Sequence, residues 1–495
     1  MVVWIIAMAM YLPSLAMRFG LYDDYRNAGA DDLLRFDVGD GRPLAAPIHA
    51  LLFHHADRFS EFVWVRAVAV TLIGLATASL WALLRRSGLP VATAAALAVC
   101  AAATVSTQIV AAWGVTLVVA PMAALLGGYG GRLLWQGTDR ASIAGFLGRR
   151  HRHRIGLGIA LLLSALCLYQ PASMSCFLVL FVAQATEVMA LRARVLRLAQ
   201  FGASAASCFV AYFLIWKVGA ALTNRSGARG QLMTDPVEKL QWFWEVALRR
   251  AFQPFSLSSS TSVPLLIAAV LLAALGIGLH QKGPLTDRFG ALVAAAGCFV
   301  LAYAPNLATA ESWASSRSLV VLMPMAVLAF GVGGWGLTTS AVGWLNRLHP
   351  SRRSGGAVSS ARLWTAALSL MAVVAMVRAQ SNVTRYVMVS NAVELAAFEE
   401  AVRAAAALQP DEIVLVPSEW GDTIAPGVSF DEFGYPATAA TWALEPMARS
   451  AVQDVNYRGR FRVINRVDLP NVPEGAVVID AKIVLARIDT SPPGM

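Results

Sequence analysis

Charged side chains are scarce in this chain: Asp, Glu, Lys and Arg make up 14% of its 495 residues, against about 25% in a soluble globular protein. The shortage argues against an ordinary soluble fold. Hydrophobic residues, 57% of the total, gather in long blocks instead of spreading over amphipathic faces, and the mean hydropathy is +0.59. A block of about 20 apolar residues spans a bilayer as a helix, because a helix satisfies its own backbone polar groups there. The composition is that of an integral membrane protein.

Cysteine is sparse as well. Cys100, Cys167, Cys176, Cys208 and Cys298 all lie in hydrophobic blocks and form no CxxC pair. That excludes a recognisable disulfide framework or zinc site and leaves small packing residues. No P-loop occurs, and no GxGxxG follows a strand-like run, so nothing points to a nucleotide-sugar fold. Internal repeats and low-complexity tracts are missing too, and charges inside the apolar blocks are few. A transporter or lipid-linked-glycan flippase, the competing reading, should carry mid-span ionisable groups and often inverted repeats. The formal net charge is +10, but much of the excess lies in short clusters such as Arg149-Arg150-His151-Arg152-His153-Arg154. Membrane topology explains such clusters, and no aromatic-interleaved basic fold suggests nucleic acid as a partner.

What the chain does have is eleven apolar blocks, at about 2–20, 62–84, 90–107, 111–131, 155–170, 173–190, 199–218, 263–280, 288–304, 318–338 and 361–379, each read as a span. Several are rich in Ala and Gly, as helices packing closely in lipid require. The first opens at Val2 without a basic n-region or a small-residue cleavage site, so it reads as a retained span. Basic residues fall on every second connection: Arg85-Arg86, the 132–154 loop, Arg192/Arg194/Arg197, Lys282 with Arg288, and Arg347 to Arg362. The turns near Gln108 and Gln170 carry none. This alternation predicts a cytoplasmic N-terminus, with the loops 21–61, 219–262 and 305–317 and the tail together on the outer face.

Residues 381–495 differ in composition from the membrane region, residues 1–380. Helical periodicity over 391–408 places Glu394, Glu399, Glu400 and Arg403 on a polar face. Short β-rich runs follow at Glu412–Pro417, Phe461–Asn465, Ala476–Ile483 and Leu485–Ile488. The expected fold class is therefore an all-α polytopic membrane protein with a small C-terminal extracytoplasmic α/β domain.

The residues that could carry chemistry cluster after the first block: Tyr22-Asp23-Asp24-Tyr25-Arg26, then Asp31-Asp32, then Gly41-Arg42-Pro43-Leu44. A carboxylate beside the membrane can take a proton from an attacking hydroxyl, worth roughly 10²–10⁴-fold in rate. Adjacent carboxylates also repel, so one can be shifted while the other holds a cation. No cofactor is required by the pattern; a divalent cation is compatible with it. Asp31-Asp32 reads as a helix cap ahead of Leu33-Leu34. Arg26 and Arg42 suit phosphate oxygens through their planar forks. The segment with Pro47, His49, His54 and His55 reads as an interfacial helix whose histidines are polar surface residues and not metal ligands. In the 219–262 loop, Arg225 and Arg229 lie in a flexible basic stretch able to close over phosphate or sugar; Trp242 and Trp244 suit sugar stacking or bilayer anchoring. Glu311 with Arg317, Glu419-Trp420 and Asp431-Glu432 are further outer-face candidates, with Arg317 ranked below Arg26.

Asp23-Asp24-x-Arg26-Asn27 after the first span, then Gly41-Arg42-Pro43-Leu44, resembles the serotype-converting O-antigen glucosyltransferases of the Gtr type II family. Leu168-Tyr169-Gln170-Pro171 at an outer turn is a second similar element. The resemblance implies a GT-C-type, many-helix fold whose first outer loop bears catalytic carboxylates. It implies transfer of a sugar, glucosyl in that family, from a polyprenyl-phosphate carrier to an envelope glycan such as O-antigen at the periplasmic face of the bacterial inner membrane. Partners so implied are the lipid-linked donor, the glycan acceptor, the bilayer, and a donor-making synthase and flippase. Asp23 or Asp24 would be the general base, the motif leaving the choice open. Arg26 and Arg42 would lie near the donor, with Tyr169 and Gln170 lining the cavity. The tail carries no such resemblance.

Overall fold

The structure is a computed structural model that describes residues 1–27, 33–54, 59–138, 149–224, 231–257, 263–281, 283–348, 356–425, 428, 433–455 and 457–488. Helix occupies each of the eleven apolar blocks: Val2–Tyr11, Phe62–Arg86, Val91–Ala102, Val119–Gly137, Arg149–Leu168, Ser175–Thr186, Leu191–Thr223, Val263–His280, Leu285–Leu301, Leu322–Leu348 and Gly356–Val383. Length separates them. Among the described residues, four stretches are long and apolar enough to cross a membrane: Phe62–Arg86, Leu191–Thr223, Leu322–Val342 and Arg362–Ala407. Val91–Ala102 and Val105–Ala112, bent by 60°, make a fifth if taken as one broken span.

The shorter helices end for local reasons. The first passes at Pro13 into a 3₁₀ turn, Leu12–Leu15. Thr104 is extended between the bent pair, and Tyr169 is extended ahead of Pro171. The block expected at 111–131 begins with the turn after Ala112, so its helix is Val119–Gly137. Small residues set the closest crossing. A Cβ built on Gly276 of Val263–His280 would lie within van der Waals overlap of the Gly333 carbonyl of Leu322–Leu348, so only glycine allows that approach.

The last apolar helix does not stop where the domain boundary was drawn. Gly356–Val383 runs through a π-helical segment, Thr384–Val389, into Ser390–Ala407. The continuous stretch Arg362–Ala407 is 46 residues long, about 69 Å at 1.5 Å per residue. That is roughly twice the ~30 Å hydrocarbon core, so its C-terminal part belongs to the appendage.

There, β1 (Glu412–Val416) is the buried centre of a parallel three-stranded sheet in the order β2-β1-β3, with β2 Arg460–Val463 and β3 Val477–Asp480. Two expectations for the tail are corrected. The run read as strand over Ala476–Ile483 ends at Asp480, whose carboxylate caps the helix Ala481–Ala486. That helix takes in Leu485, and no strand forms over 485–488. Glu394 and Glu399 do not lie on a solvated face; both are buried. Glu394 accepts hydrogen bonds from Ala437 N, Thr438 N and Thr438 Oγ1, which docks the 437–438 turn onto the helix. Glu399 is gripped by both terminal nitrogens of Arg18, at 2.9 and 2.7 Å. A residue from the end of the first apolar block thus clamps the tail to the membrane region.

Candidate functional site

The two adjacent aspartates face different environments. Both begin the short helix Asp23–Asn27. Asp24 is buried: Oδ2 accepts from Leu21 N at 3.0 Å, and Oδ1 accepts from Thr116 N at 3.0 Å and Thr116 Oγ1 at 2.8 Å. Burial raises its pKa from 3.8 to about 6, opposed by the nearby Arg66 guanidinium and these hydrogen bonds. Arg66 is itself held against the Phe19 ring and donates to the Phe19 and Met17 carbonyls. Asp24 is therefore a fastening point between the first loop and the 113–118 turn.

Asp23 points the other way, with its side chain 24% exposed. Its Oδ1 accepts from Trp442 Nε1 at 3.1 Å, and its Oδ2 lies 3.8 Å from the Arg317 guanidinium. Arg317 is sandwiched between Trp113 and Trp313, 4.4 and 4.5 Å from the ring centroids. The cation beside the candidate base is thus Arg317. Arg26, ranked above it from sequence, lies over the Phe36 ring at 4.0 Å.

The two separated motifs meet. Gly41 takes a positive φ of 78° at the turn into Ala45–His54, and its carbonyl accepts from Gln170 Nε2 at 2.9 Å. Leu44 N donates to the Cys167 carbonyl. Gln170 also donates to Tyr212 Oη, and Arg42 lies over the Tyr169 ring at 5.2 Å. Tyr169 Oη donates to the Arg317 carbonyl at 3.3 Å. Arg42, Tyr169, Gln170 and Tyr212 line a cavity of about 500 Å³ that also includes Asp40, Trp216, Asn306, Glu311 and Trp313. Val210 and Leu232, more than half exposed, belong to its wall, so the cavity borders the apolar surface of the Leu191–Thr223 span. Trp313 belongs both to this wall and to the Arg317 sandwich, joining cavity and carboxylate.

Two carboxylates, Asp40 and Glu311, and one cation, Arg42, line the cavity. Burial disfavours the Arg42 cation, but Asp40, Tyr169, Asp37 and Tyr212 outweigh it, and its pKa rises above the ordinary arginine value. Among the described residues, Arg42 Nε and Asn306 Nδ2 are buried donors without a hydrogen-bond partner. Buried donors are normally satisfied, so this pair suits a ligand rich in acceptor oxygens.

The remaining expected residues fall elsewhere. Arg225, Arg229, Asp31-Asp32, His55 and Asp431-Glu432 lie outside the described residues. His49 is buried and not interfacial: its Nδ1 is 2.7 Å from Asp37 Oδ2 and its Nε2 3.0 Å from the Thr116 carbonyl. Trp242 packs against Tyr303, whereas Trp244 is exposed. Glu311 lines the cavity, and its carbonyl accepts from Lys239 Nζ. Among the described residues no group of three His, Cys, Asp or Glu side chains is arranged to hold a metal ion. Sequence reasoning missed Trp113, Trp313, Tyr212 and Trp442. Interfacial aromatics are common, and no local signal marks those that converge. No family model matches the chain, and none of the curated proteins matches it.

Proposed function

We propose that the chain is a polytopic membrane glycosyltransferase of GT-C-like architecture, with about eleven membrane segments. It would move a sugar, glucosyl in the family it resembles, from polyprenyl phosphate to an envelope glycan at the outer face of a bacterial inner membrane. The observation that carries this reading is the pairing of a cavity bearing Arg42 and Asn306 donors, on the wall of an apolar span, with a half-shielded carboxylate, Asp23, beside Arg317.

In the proposed step an acceptor hydroxyl attacks the anomeric carbon. The new C–O bond forms as the bond from that carbon to the phosphate oxygen breaks, and polyprenyl phosphate leaves with the electron pair. Asp23 takes the hydroxyl proton as general base. Arg42 and Arg317 offset the charge that develops on the leaving phosphate. Tyr169 and Gln170 fix the turn that carries Arg42. Asp24 holds the loop and takes no part in the proton transfer. A transporter would need charge within its spans, whereas the groups assembled here belong to the connections and the tail.

The test is transfer by the purified full chain from defined polyprenyl-phosphate hexoses to delipidated envelope polysaccharide. Incorporation that depends on the lipid phosphate supports the reading. Donor consumed by no acceptor, across glucosyl, galactosyl and mannosyl donors, overturns it.

A further inference from the structure

The C-terminal domain contributes two large aromatic side chains to the surface beside Asp23, and nothing in the proton-transfer step uses their faces. Trp420 is 49% and Trp442 45% exposed, and their ring centroids lie 6.2 Å apart, tilted by 40°. Tyr22 is 5.4 Å from Trp420 and packs edge-on against the buried Trp113 at 5.6 Å. A row of four rings therefore runs from the interior to the surface alongside the candidate base. The rings have firm supports. Trp442 opens the helix Thr441–Ala451, whose Ala443, Leu444, Met447 and Ala448 are buried in the domain. Trp420 follows β1 just after Ser418, which is buried and bonded to Thr438.

The surrounding polarity bears on what could lie there. Lys482 Nζ is 2.7 Å from Glu419 Oε1 and 4.0 Å from Asp422 Oδ1, so an ion-paired rim borders the indoles. A pyranose ring has an apolar C–H face that fits an indole and a hydroxyl edge that needs such polar partners. A tryptophan anchored in a bilayer turns its N–H toward headgroups and water, whereas the Trp442 N–H is committed to Asp23.

We infer that Trp420 and Trp442, backed by the buried Tyr22, form a stacking platform for pyranose rings of the acceptor glycan, so that the C-terminal domain selects the acceptor and presents its hydroxyl to Asp23. The orientation toward Asp23 rests on the transferase reading; the glycan platform stands on its own geometry.

The experiment uses the full chain in lipid nanodiscs with delipidated envelope polysaccharide from the strain that carries the gene. Titration calorimetry and saturation-transfer NMR are run on wild type, Trp420→Ala and Trp420→Phe. The expected result is saturable binding, about tenfold weaker in Trp420→Ala and largely restored by Trp420→Phe. In the transfer assay the Trp420→Ala loss should fall on the acceptor KM and not on kcat. Equal binding by wild type and Trp420→Ala overturns the platform. So does a share of brominated-lipid quenching that is lost in Trp420→Ala, which would assign the ring to the bilayer interface. Weakened binding in a chain that transfers no sugar leaves the platform standing and removes the transferase reading. Transfer with an unchanged acceptor KM removes the platform alone.

Discussion

Neighbouring aspartates at 23 and 24 differ in everything except residue type. Consecutive residues on a helix point about 100° apart, which here separates a buried, triply hydrogen-bonded carboxylate from one that meets Trp442 and Arg317. The dipeptide was legible as a functional candidate, but its division of labour depends on Thr116, Arg317 and Trp442, which are remote in sequence. The buried member makes a pH prediction. Its pKa is raised in the folded chain, from 3.8 to about 6, so the folded state binds the proton more tightly than the unfolded state. Stability is therefore greatest below pH 4 for this group and falls as pH rises to about 6, by roughly 3 kcal/mol. Asp24→Asn abolishes that titration and mismatches an amide with three donors, at a cost of about 1–3 kcal/mol. Thermal unfolding at pH 4 and pH 7 should show the wild-type advantage shrinking with pH; an advantage that stays constant contradicts the assignment.

At the level of elements, the site depends on a turn. Gly41 adopts φ 78°, and an added Cβ would come within 2.5 Å of Tyr212 Oη and 2.8 Å of Trp216 Cδ1. The left-handed conformation alone costs a residue with a Cβ roughly 1–2 kcal/mol. Gly41→Ala should lower the unfolding temperature and, by displacing the Gly41–Gln170 hydrogen bond, raise the donor KM. An unchanged melting curve with unchanged KM would show that the turn does not carry Arg42. The glycine, the arginine and the Tyr-Gln pair could all be read from sequence as separate motifs. Their contact could not, because Gly41 and Gln170 are 129 positions apart. Helix lengths were equally hidden: hydropathy marks each apolar block, but the breaks at Pro13, Thr104 and Tyr169 follow from local backbone geometry.

Across the whole molecule, segments from the first loop, the 113–118 turn, the 303–321 region and the tail converge on one side of the helices. Arg18–Glu399, Asp23–Arg317, Lys239–Glu311 and Asp23–Trp442 are the contacts that gather them. The arginine alternation in the sequence predicts that the loops 21–61, 219–262 and 305–317 and the tail share the outer face, which labelling from either side of the membrane tests. The sequence could not reveal that the tail reaches the candidate base, since that contact joins residues 419 positions apart. With the five native cysteines replaced, Asp422→Cys should react with an impermeant maleimide from outside intact cells, and Arg152→Cys only after permeabilisation. Labelling of both from outside would contradict the arrangement.

In the proposed step Asp23, not Asp24, takes the acceptor proton. Single-turnover transfer from polyprenyl-phosphate glucose tests it most directly, comparing wild type, Asp23→Asn and Asp24→Asn at matched folded concentration. Asp23→Asn should lose about 10²–10⁴-fold in the transfer rate, with its melting temperature near that of wild type. Asp24→Asn should melt at a lower temperature, with a transfer rate per folded molecule close to wild type. Full transfer by folded Asp23→Asn, or a selective rate loss in Asp24→Asn alone, would contradict this assignment.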